Sequence, residues 1–427
     1  MTDSQLYFRD ISQAYVQLTT KLNRELYARL PKELIDQLGL TSNTVMRVIK
    51  PLYGIPEAEN YWFRTYHSHH LEHLRMSQST FDPCLLYTMD SPNSRESTGF
   101  GIVGLQTDDT LILADATFAE SEEIELQKAQ FLAKDREKLT IEKPLKFNGS
   151  MVKLEPDRIT LTQEIQCIKL SPIGKLITQA PGTLKDRYIA ERARGTYIAS
   201  VCQPEASFDL SFAAQVINPS KKDAESLNKR LNWQLENAAR GLKYVKLDLK
   251  SLQLLVFTDA SFANNKDLSS QIGYVIVLAD KRNASNTTAV NANIVHWSSI
   301  KCKRVTRSVL ASELYAMAHG SDIAFAIKST LDQILQTNIP IVLCTESKSL
   351  YDCLVRLGST QEKRLMINIM YLRQAYKCRQ ITDIKWIDGD SNPADIMTKS
   401  KLCNALRQLI DTNCIDLQAI GWVERSN

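Results

Sequence analysis

The stretch Leu252 to Ala263, Leu-Gln-Leu-Leu-Val-Phe-Thr-Asp-Ala-Ser-Phe-Ala, carries one carboxylate, Asp259, into an apolar β run. A buried acid is costly unless something pairs with it, so the fold must bring compensating groups to that point. Leu252 to Phe257 is leucine-rich and aromatic, and short enough for a central strand. Gln271 to Leu278 and Ile294 to Ser299 follow as further arms of a hairpin-like series. Asp259 then lies where a central strand ends.

Three further segments set acids in similar places. Ser308-Val-Leu-Ala-Ser-Glu-Leu-Tyr-Ala-Met-Ala predicts a helix with Ser308 as N-cap, and Glu313 on the sheet-facing side with Val309 and Met317. Ile339 to Thr345 reads as a second buried strand. Glu346 follows where that strand turns into a helix around Lys348 to Leu357, at the carboxyl end where α/β sheets bind ligands. In Asn392-Pro-Ala-Asp-Ile-Met-Thr-Lys, Asn392 is the expected N-cap and Pro393 the first helical residue. Asp395 then falls in a first turn whose dipole favours its charge. Convergent carboxylates repel unless cations neutralise them, and their oxygens suit magnesium. Two such ions roughly 3.5 to 4 Å apart can activate water and stabilise the leaving oxygen of a phosphodiester. Any one of these acids alone is an ordinary surface residue or cap; the signal is four in order.

The order Thr-Asp-Ala-Ser, Ser-Glu-Leu-Tyr, Thr-Glu-Ser, Pro-Ala-Asp resembles ribonuclease H of the type found in retroelement polyproteins, over about 250 to 400. The resemblance implies that Asp259, Glu313, Glu346 and Asp395 are catalytic metal ligands for two Mg²⁺ ions, with Mn²⁺ as a substitute. The family usually has Asp where this chain has Glu346. The extra methylene moves the oxygens by roughly a bond length, against a positioning tolerance of about 0.5 Å.

A length of 427 residues with 23% charged residues allows two or three domains with ample core. No membrane span or secretory signal is evident, so a soluble intracellular protein is expected, cytoplasmic or nuclear, and particle-associated if the element is intact. Nine cysteines without metal-type spacing read as reduced thiols. A net charge of +4 is only mildly basic, so nucleic-acid binding has to come from local clusters. Lys301, Lys303, Arg304 and Arg307, just after His296-Trp297, form one where a hybrid duplex would lie. Such side chains position a duplex through its phosphates without reading sequence. The bland alternative is a solvated loop.

Upstream, Leu6 to Val16 reads as an aromatic strand running into a helix-like turn, with Asp10 at the transition. The helix-period run Trp62 to Met76 holds His67, His69, His70 and His73; with no Cys partner or Glu base in a metal motif, a solvated helix face is expected. Gly101-Ile-Val-Gly-Leu-Gln-Thr-Asp-Asp-Thr-Leu-Ile-Leu is a hairpin signal with Asp108 and Asp109 at its tip. These parts, with Leu52-Tyr53-Gly54 between them, resemble the reverse transcriptase of copia-type (pseudovirus-class) LTR retrotransposons. That resemblance makes Asp10 and Asp108 metal ligands, with Asp109 beside them at the catalytic centre. Phe81-Asp-Pro-Cys, Pro144-Leu-Lys-Phe-Asn-Gly, Ile159-Thr-Leu-Thr-Gln and Arg194-Gly-Thr-Tyr look like later elements of the same polymerase in their usual order. The helix-period run Asp223 to Tyr244 then resembles the lead into its ribonuclease H.

The expected fold class is α/β and α+β: a reverse-transcriptase palm and thumb remnant over 1–245, fingers missing, then a ribonuclease H-like mixed sheet over 250–400. A C-terminal helix and tail over 401–427 completes it. The partners implied are an RNA–DNA hybrid, RNA template and DNA primer, with other pol products and no membrane. Gln106-Thr107 replaces the usual Tyr-Val beside the polymerase metals, and Glu57 replaces a Gln near the incoming nucleotide. Positioning and charge neutralisation supply most phosphoryl-transfer catalysis, so ribonuclease H activity ranks above polymerase activity. A relic that only binds nucleic acid is the alternative.

Overall fold

The computed structural model describes residues 4–89, 99–174, 183–280, 289–356, 362–417 and 419–421. The chain divides into two units, Met1–Leu139 and Thr140–Asn427. The segment 140–245 therefore shares a unit with the segment 250–400.

In the first unit, β1 (Gln5–Asp10) lies against helix α1 (Ala58–Glu72), followed by β2 (Met76–Gln78), β3 (Leu85–Thr88), β4 (Gly101–Gln106), β5 (Asp109–Ala114), α2 (Ala116–Lys128) and β6 (Glu137–Lys138). The sheet order is β2-β3-β4-β5-β1-β6. β4 and β5 form the expected hairpin, turning through Thr107, whose φ of 54° is left-handed. Helix α1 ends four residues before the Met76 expected from periodicity, and Arg75 at φ 52° reverses the chain into β2.

Only part of the histidine run is a solvated face: His73 is exposed, whereas His69 and His70 are not. Trp62, Tyr66, His69 and His70 are all buried, at the i, i+4, i+7, i+8 spacing of one apolar stripe. His70 serves as a neutral ring, edge-on to Tyr66 at 4.5 Å, with Nδ1 2.8 Å from the Tyr66 carbonyl oxygen. Burial pulls the His70 pKa down to about 3, and burial with the neighbouring His73 pulls that of His69 down to about 4. A histidine held neutral when folded contributes stability above its unfolded pKa of 6.5, and that contribution is lost as pH falls below it. Between pH 7 and pH 5 the His70 term alone should cost about 2 kcal/mol. Thermal melts across that range should show the loss, and His70→Leu should flatten it; an unchanged slope would show that His70 is not the group responsible.

In the second unit, β7 (Leu145–Phe147), β8 (Ser150–Leu154) and β9 (Arg158–Thr162) precede three helices, α3 (Leu184–Val201), α4 (Ser207–Ala214) and α5 (Lys221–Glu236), then β10 (Leu242–Val245). These four strands form one antiparallel sheet. There follow β11 (Leu252–Ser261), β12 (Gln271–Asp280), β13 (Ala289–Lys301), α6 (Val309–Leu335), β14 (Ile341–Thr345), α7 (Lys348–Val355), α8 (Met366–Lys377) and β15 (Asp383–Ile387). The chain closes with α9 (Asn404–Thr412), β16 (Cys414–Asp416) and β17 (Ala419–Gly421). The sheet order is β16-β13-β12-β11-β14-β15-β17, antiparallel among β11, β12 and β13 and parallel across β11, β14 and β15. This is the ribonuclease H-like mixed sheet expected from the sequence.

β11 is buried on both faces. Leu255 and Phe257 join a core with residues of α3, α4, α5 and α9, while Leu254 and Val256 pack with α6 and α8. That double cover explains why the strand reads as a continuous apolar run. Helix α6 starts where expected, with Ser308 Oγ accepting from Ala311 N at 3.2 Å. Glu313, Met317, Gly320 and Ala324 line its buried side. Val309 is 55% exposed, so it does not share that face. α7 is described to Val355; Leu357 lies outside the described residues. The C-terminal segment is more than a helix and tail: β16 pairs with β13 and β17 with β15 at opposite edges of the sheet. Residues 422–427 lie outside the described residues.

Candidate active site

Parallel pairing of β11 with β14 sets Thr258 opposite Thr345, so the next residues, Asp259 and Glu346, stand side by side. Glu346 lies just past the end of β14, and Asp259 is still inside β11, which runs on to Ser261 instead of ending at Asp259 as expected. Asp395 arrives from the other direction on a short 3-10 turn, Asp395–Met397. One carboxylate oxygen from each of Asp259, Glu346 and Asp395 lies within 4.8 Å of the other two. Glu346 thus reaches the cluster despite its extra methylene. Its Oε2 sits 3.4 Å from Asn392 Nδ2, and its backbone carbonyl accepts from Trp386 Nε1 at 3.2 Å.

Asp395 is not in the first turn of an α-helix, and no long helix dipole serves it. Asn392 caps only locally, its Oδ1 accepting from Ala394 N at 3.1 Å, and the turn stops after three residues. The charge is met by lysines instead. Lys399 Nζ is 2.6 Å from Asp395 Oδ1 and 3.6 Å from Asp259 Oδ2, and Lys401 Nζ is 2.6 Å from Asp395 Oδ2. Thr398 Oγ1 donates to Asp259 Oδ2. Burial pushes the Asp259 carboxyl up to about 6, against the pull of Lys399 and with the push of Glu346. Burial opposes the Lys399 ammonium, yet Asp259 and Asp395 hold its pKa above the ordinary value.

Glu313 lies outside the triad but inside its field. Burial first, then the Asp259 and Glu346 charges, push its carboxyl well above the usual carboxylate range. Among the described residues, Glu313 Oε2 and Asp259 Oδ1 are buried without a hydrogen-bond partner. Buried orphan carboxylate oxygens beside two more acids form an oxygen donor set of the kind hard divalent cations take. Reading the sequence by motif missed Thr398, Lys399 and Lys401; the i+3 and i+4 spacing from Asp395 was a signal for the first two, and none pointed to Lys401.

The expected basic cluster lies between β13 and α6, the helix carrying Glu313. Lys301 pairs with Asp267, and Arg304 lies 5.1 Å over the Tyr315 ring. Lys303 and Arg307 are exposed. All four are on one surface connection, as the solvated-loop alternative also requires.

In the first unit, Asp10 and Asp109 are direct partners at the ends of β1 and β5, and Asp108 is in the turn beside them. The Asp108 carbonyl accepts from Ile11 N at 2.9 Å, and the Thr107 carbonyl from Trp62 Nε1 at 2.7 Å, which pins the hairpin tip. Burial, then Asp108 and Asp10, push the Asp109 carboxyl up to about 6. Lys134 Nζ is 2.7 Å from Asp10 Oδ2. Among the described residues, these three aspartates do not form a ligand group as tight as the triad of the second unit. Glu57 pairs with Arg24 at 2.9 Å.

No protein-family model matches the chain. It is 23% identical over 443 aligned positions to the Transposon Ty1-NL2 Gag-Pol polyprotein of Saccharomyces cerevisiae, covering 91% of this chain and 22% of that protein. The Ty1-JR2 Gag-Pol polyprotein of the same yeast is 22% identical over 428 positions with the same coverage. The chain thus spans about a fifth of the length of these relatives. Among solved structures, LC11-RNase H1 from compost matches 36% of this chain and 98% of its own at 15% identity and a TM-score of 0.26. The Prototype Foamy Virus protease-reverse transcriptase matches 96% of this chain and 67% of its own at 11% identity and a TM-score of 0.23. The copia-type resemblance carried by separate motifs therefore extends across nine-tenths of the sequence.

Proposed function

We propose that this copia-type pol relative carries, in its second unit, a divalent-metal nuclease that hydrolyses the RNA strand of RNA–DNA hybrids. The observation that carries the reading is the convergence of Asp259, Glu346 and Asp395 oxygens within 4.8 Å. Asp259, Glu346 and Asp395 would hold magnesium or manganese, with the orphan Glu313 oxygen as a fourth ligand. A bound pair of ions would supply an activated water and charge neutralisation at the leaving oxygen. Thr398 fixes the Asp259 carboxylate by donating to one oxygen, which leaves Oδ1 available to a cation. Lys399 and Lys401 offset part of the mutual repulsion of the acids and mark where phosphate charge would approach. Lys301, Lys303, Arg304 and Arg307 are the proposed contacts to the hybrid backbone.

The test is a labelled RNA–DNA hybrid incubated with the purified chain in Mg²⁺ or Mn²⁺. Cleavage of the RNA strand, lost on chelation and in Glu346→Gln, is expected. Absence of cleavage with either ion would leave the relic that only binds nucleic acid. Polymerase chemistry at Asp10, Asp108 and Asp109 is a second reading, favoured by the placement of all three at adjoining ends of β1 and β5. It requires primer extension on an RNA template that disappears in Asp108→Asn.

A further inference from the structure

A cleft of about 430 Å³ in the second unit lies between α5 and the start of α9. Its walls carry Arg230, Arg240, Arg407 and Lys401, with the indole of Trp233. Carboxylates hold all three guanidinium groups, Arg407 the least closely, with Nε 3.6 Å from Asp411 Oδ2. Asp209 accepts from Arg230 through Nε at 2.6 Å and through Nη2; Glu205 and Asp411 take Arg240 through Nε and Nη1. Arg230 Nη1 and Arg240 Nη2 are left without a protein partner among the described residues. A guanidinium fixed at two nitrogens with a third one spare is preorganised for an anion.

Three further features converge on this cleft. Helix α9 begins at its edge with Cys403 as N-cap, and a thiol is a weak acceptor for first-turn amides. Of this helix start, Cys403, Asn404 and Arg407 line the cleft, so the positive end of the nine-residue helix borders the same space. Arg230 lies 4.9 Å over the Trp233 ring, a flat cationic and aromatic platform of the sort on which nucleobases stack. Glu205 Oε2 is buried at the wall and has no hydrogen-bond partner among the described residues, an acceptor for a hydroxyl or amino group. Lys401 joins the cleft to the acid cluster through its contact with Asp395.

We propose that this cleft seats one nucleotide of a polynucleotide strand that runs past the acid cluster. The phosphate lies against Arg240, Arg407 and the α9 amides, and the base lies on the Arg230–Trp233 stack. The identity of the strand rests on the nuclease reading; the anion and base chemistry rest on the cleft itself.

Anisotropy of a fluorescein-labelled RNA–DNA hybrid with the full chain, in Ca²⁺ across a salt series, tests the proposal. Arg407 is 70% exposed and its ion pair with Asp411 is a 3.6 Å surface contact, so Arg407→Glu should leave the fold intact, with the melting temperature as the check. Lys377→Glu, exposed at the end of α8, makes the same charge change elsewhere. Arg407→Glu should weaken binding about tenfold and lower the salt slope by about one. Trp233→Leu, with an unchanged melting temperature, should weaken it about fivefold or more. Wild-type binding with Arg407→Glu and Lys377→Glu indistinguishable would overturn the cleft proposal and leave the nuclease reading standing. No binding by the wild type would overturn both.

Discussion

Asp259→Asn should make the metal-free protein more stable while removing hybrid cleavage. The folded protein raises the Asp259 carboxyl from an ordinary 3.8 to about 6, chiefly through burial. An acid whose folded pKa is raised binds its proton more tightly in the native state. Its penalty is therefore absent below the unfolded pKa, grows as pH rises, and is complete above the folded one. At pH 7.5 in chelator that penalty is about 3 kcal/mol, and the amide does not incur it. The variant should melt higher than the wild type at pH 7.5, and the two should converge near pH 4. Added magnesium should reverse the order, because a cation that binds only the native wild type stabilises it by mass action. Cleavage should fall by about a thousandfold or more, equivalent to roughly 4 kcal/mol of transition-state charge stabilisation. A variant whose melting temperature rises with magnesium as much as that of the wild type would show that Asp259 is not a ligand.

Stability and activity opposing each other at one residue follows from how the site was legible. Asp259 stood out in the sequence because an acid follows the apolar run Leu252–Phe257 within two residues, and burial on both faces of β11 is what makes that run continuous. Glu346 was placed where the apolar run ending at Thr345 turns into a helix, and parallel pairing of Thr345 with Thr258 sets it beside Asp259. Glu313 was placed by helical period, although Val309 was wrongly put on its face: Val309 is exposed while Ala311 and Ser312 of the same first turn are buried.

Other features depend on tertiary contacts that no local pattern records. Asp395 was assigned to a helix start by its Asn-Pro prefix, but the turn ends after Met397 and the lysines supply the positive charge. β16 and β17 have three residues each, too few to show alternation, and exist because sheet edges are available to them. His69 and His70 were set on solvent by residue type, whereas their spacing from Trp62 and Tyr66 put them in the core. Spacing was the better guide there, because a neutral imidazole packs as an aromatic ring.

The approach of the Asp395 turn to the sheet depends on a missing side chain. Gly273 of β12 pairs with Asp259 on one side and Ser299 on the other, at the centre of the antiparallel part of the sheet. A Cβ added there would sit 2.3 Å from Met397 Cβ, and 3.2 Å and 3.3 Å from the Met397 carbonyl carbon and Cα. The obstacle is mostly backbone, so it cannot swing aside, and Met397 is fully buried with its carbonyl accepting from Ser299 Oγ. Glycine within a strand marks such a close approach of another backbone. Gly273→Ala should therefore lift the Asp395–Met397 turn, with an overpacking cost of about 2–3 kcal/mol. A shift of about 1 Å at Asp395 should lower cleavage by about a hundredfold even where the protein remains folded. Melting temperature and hybrid cleavage measure the two effects separately. Met397→Gly removes the opposing Cβ but also a fully buried side chain, so the double mutant should be less destabilised than the sum of the two single changes, a coupling that neither change alone predicts. A Gly273→Ala protein that melts and cleaves as the wild type does would mean that the turn is held by Thr398, Lys399 and Asn392 alone.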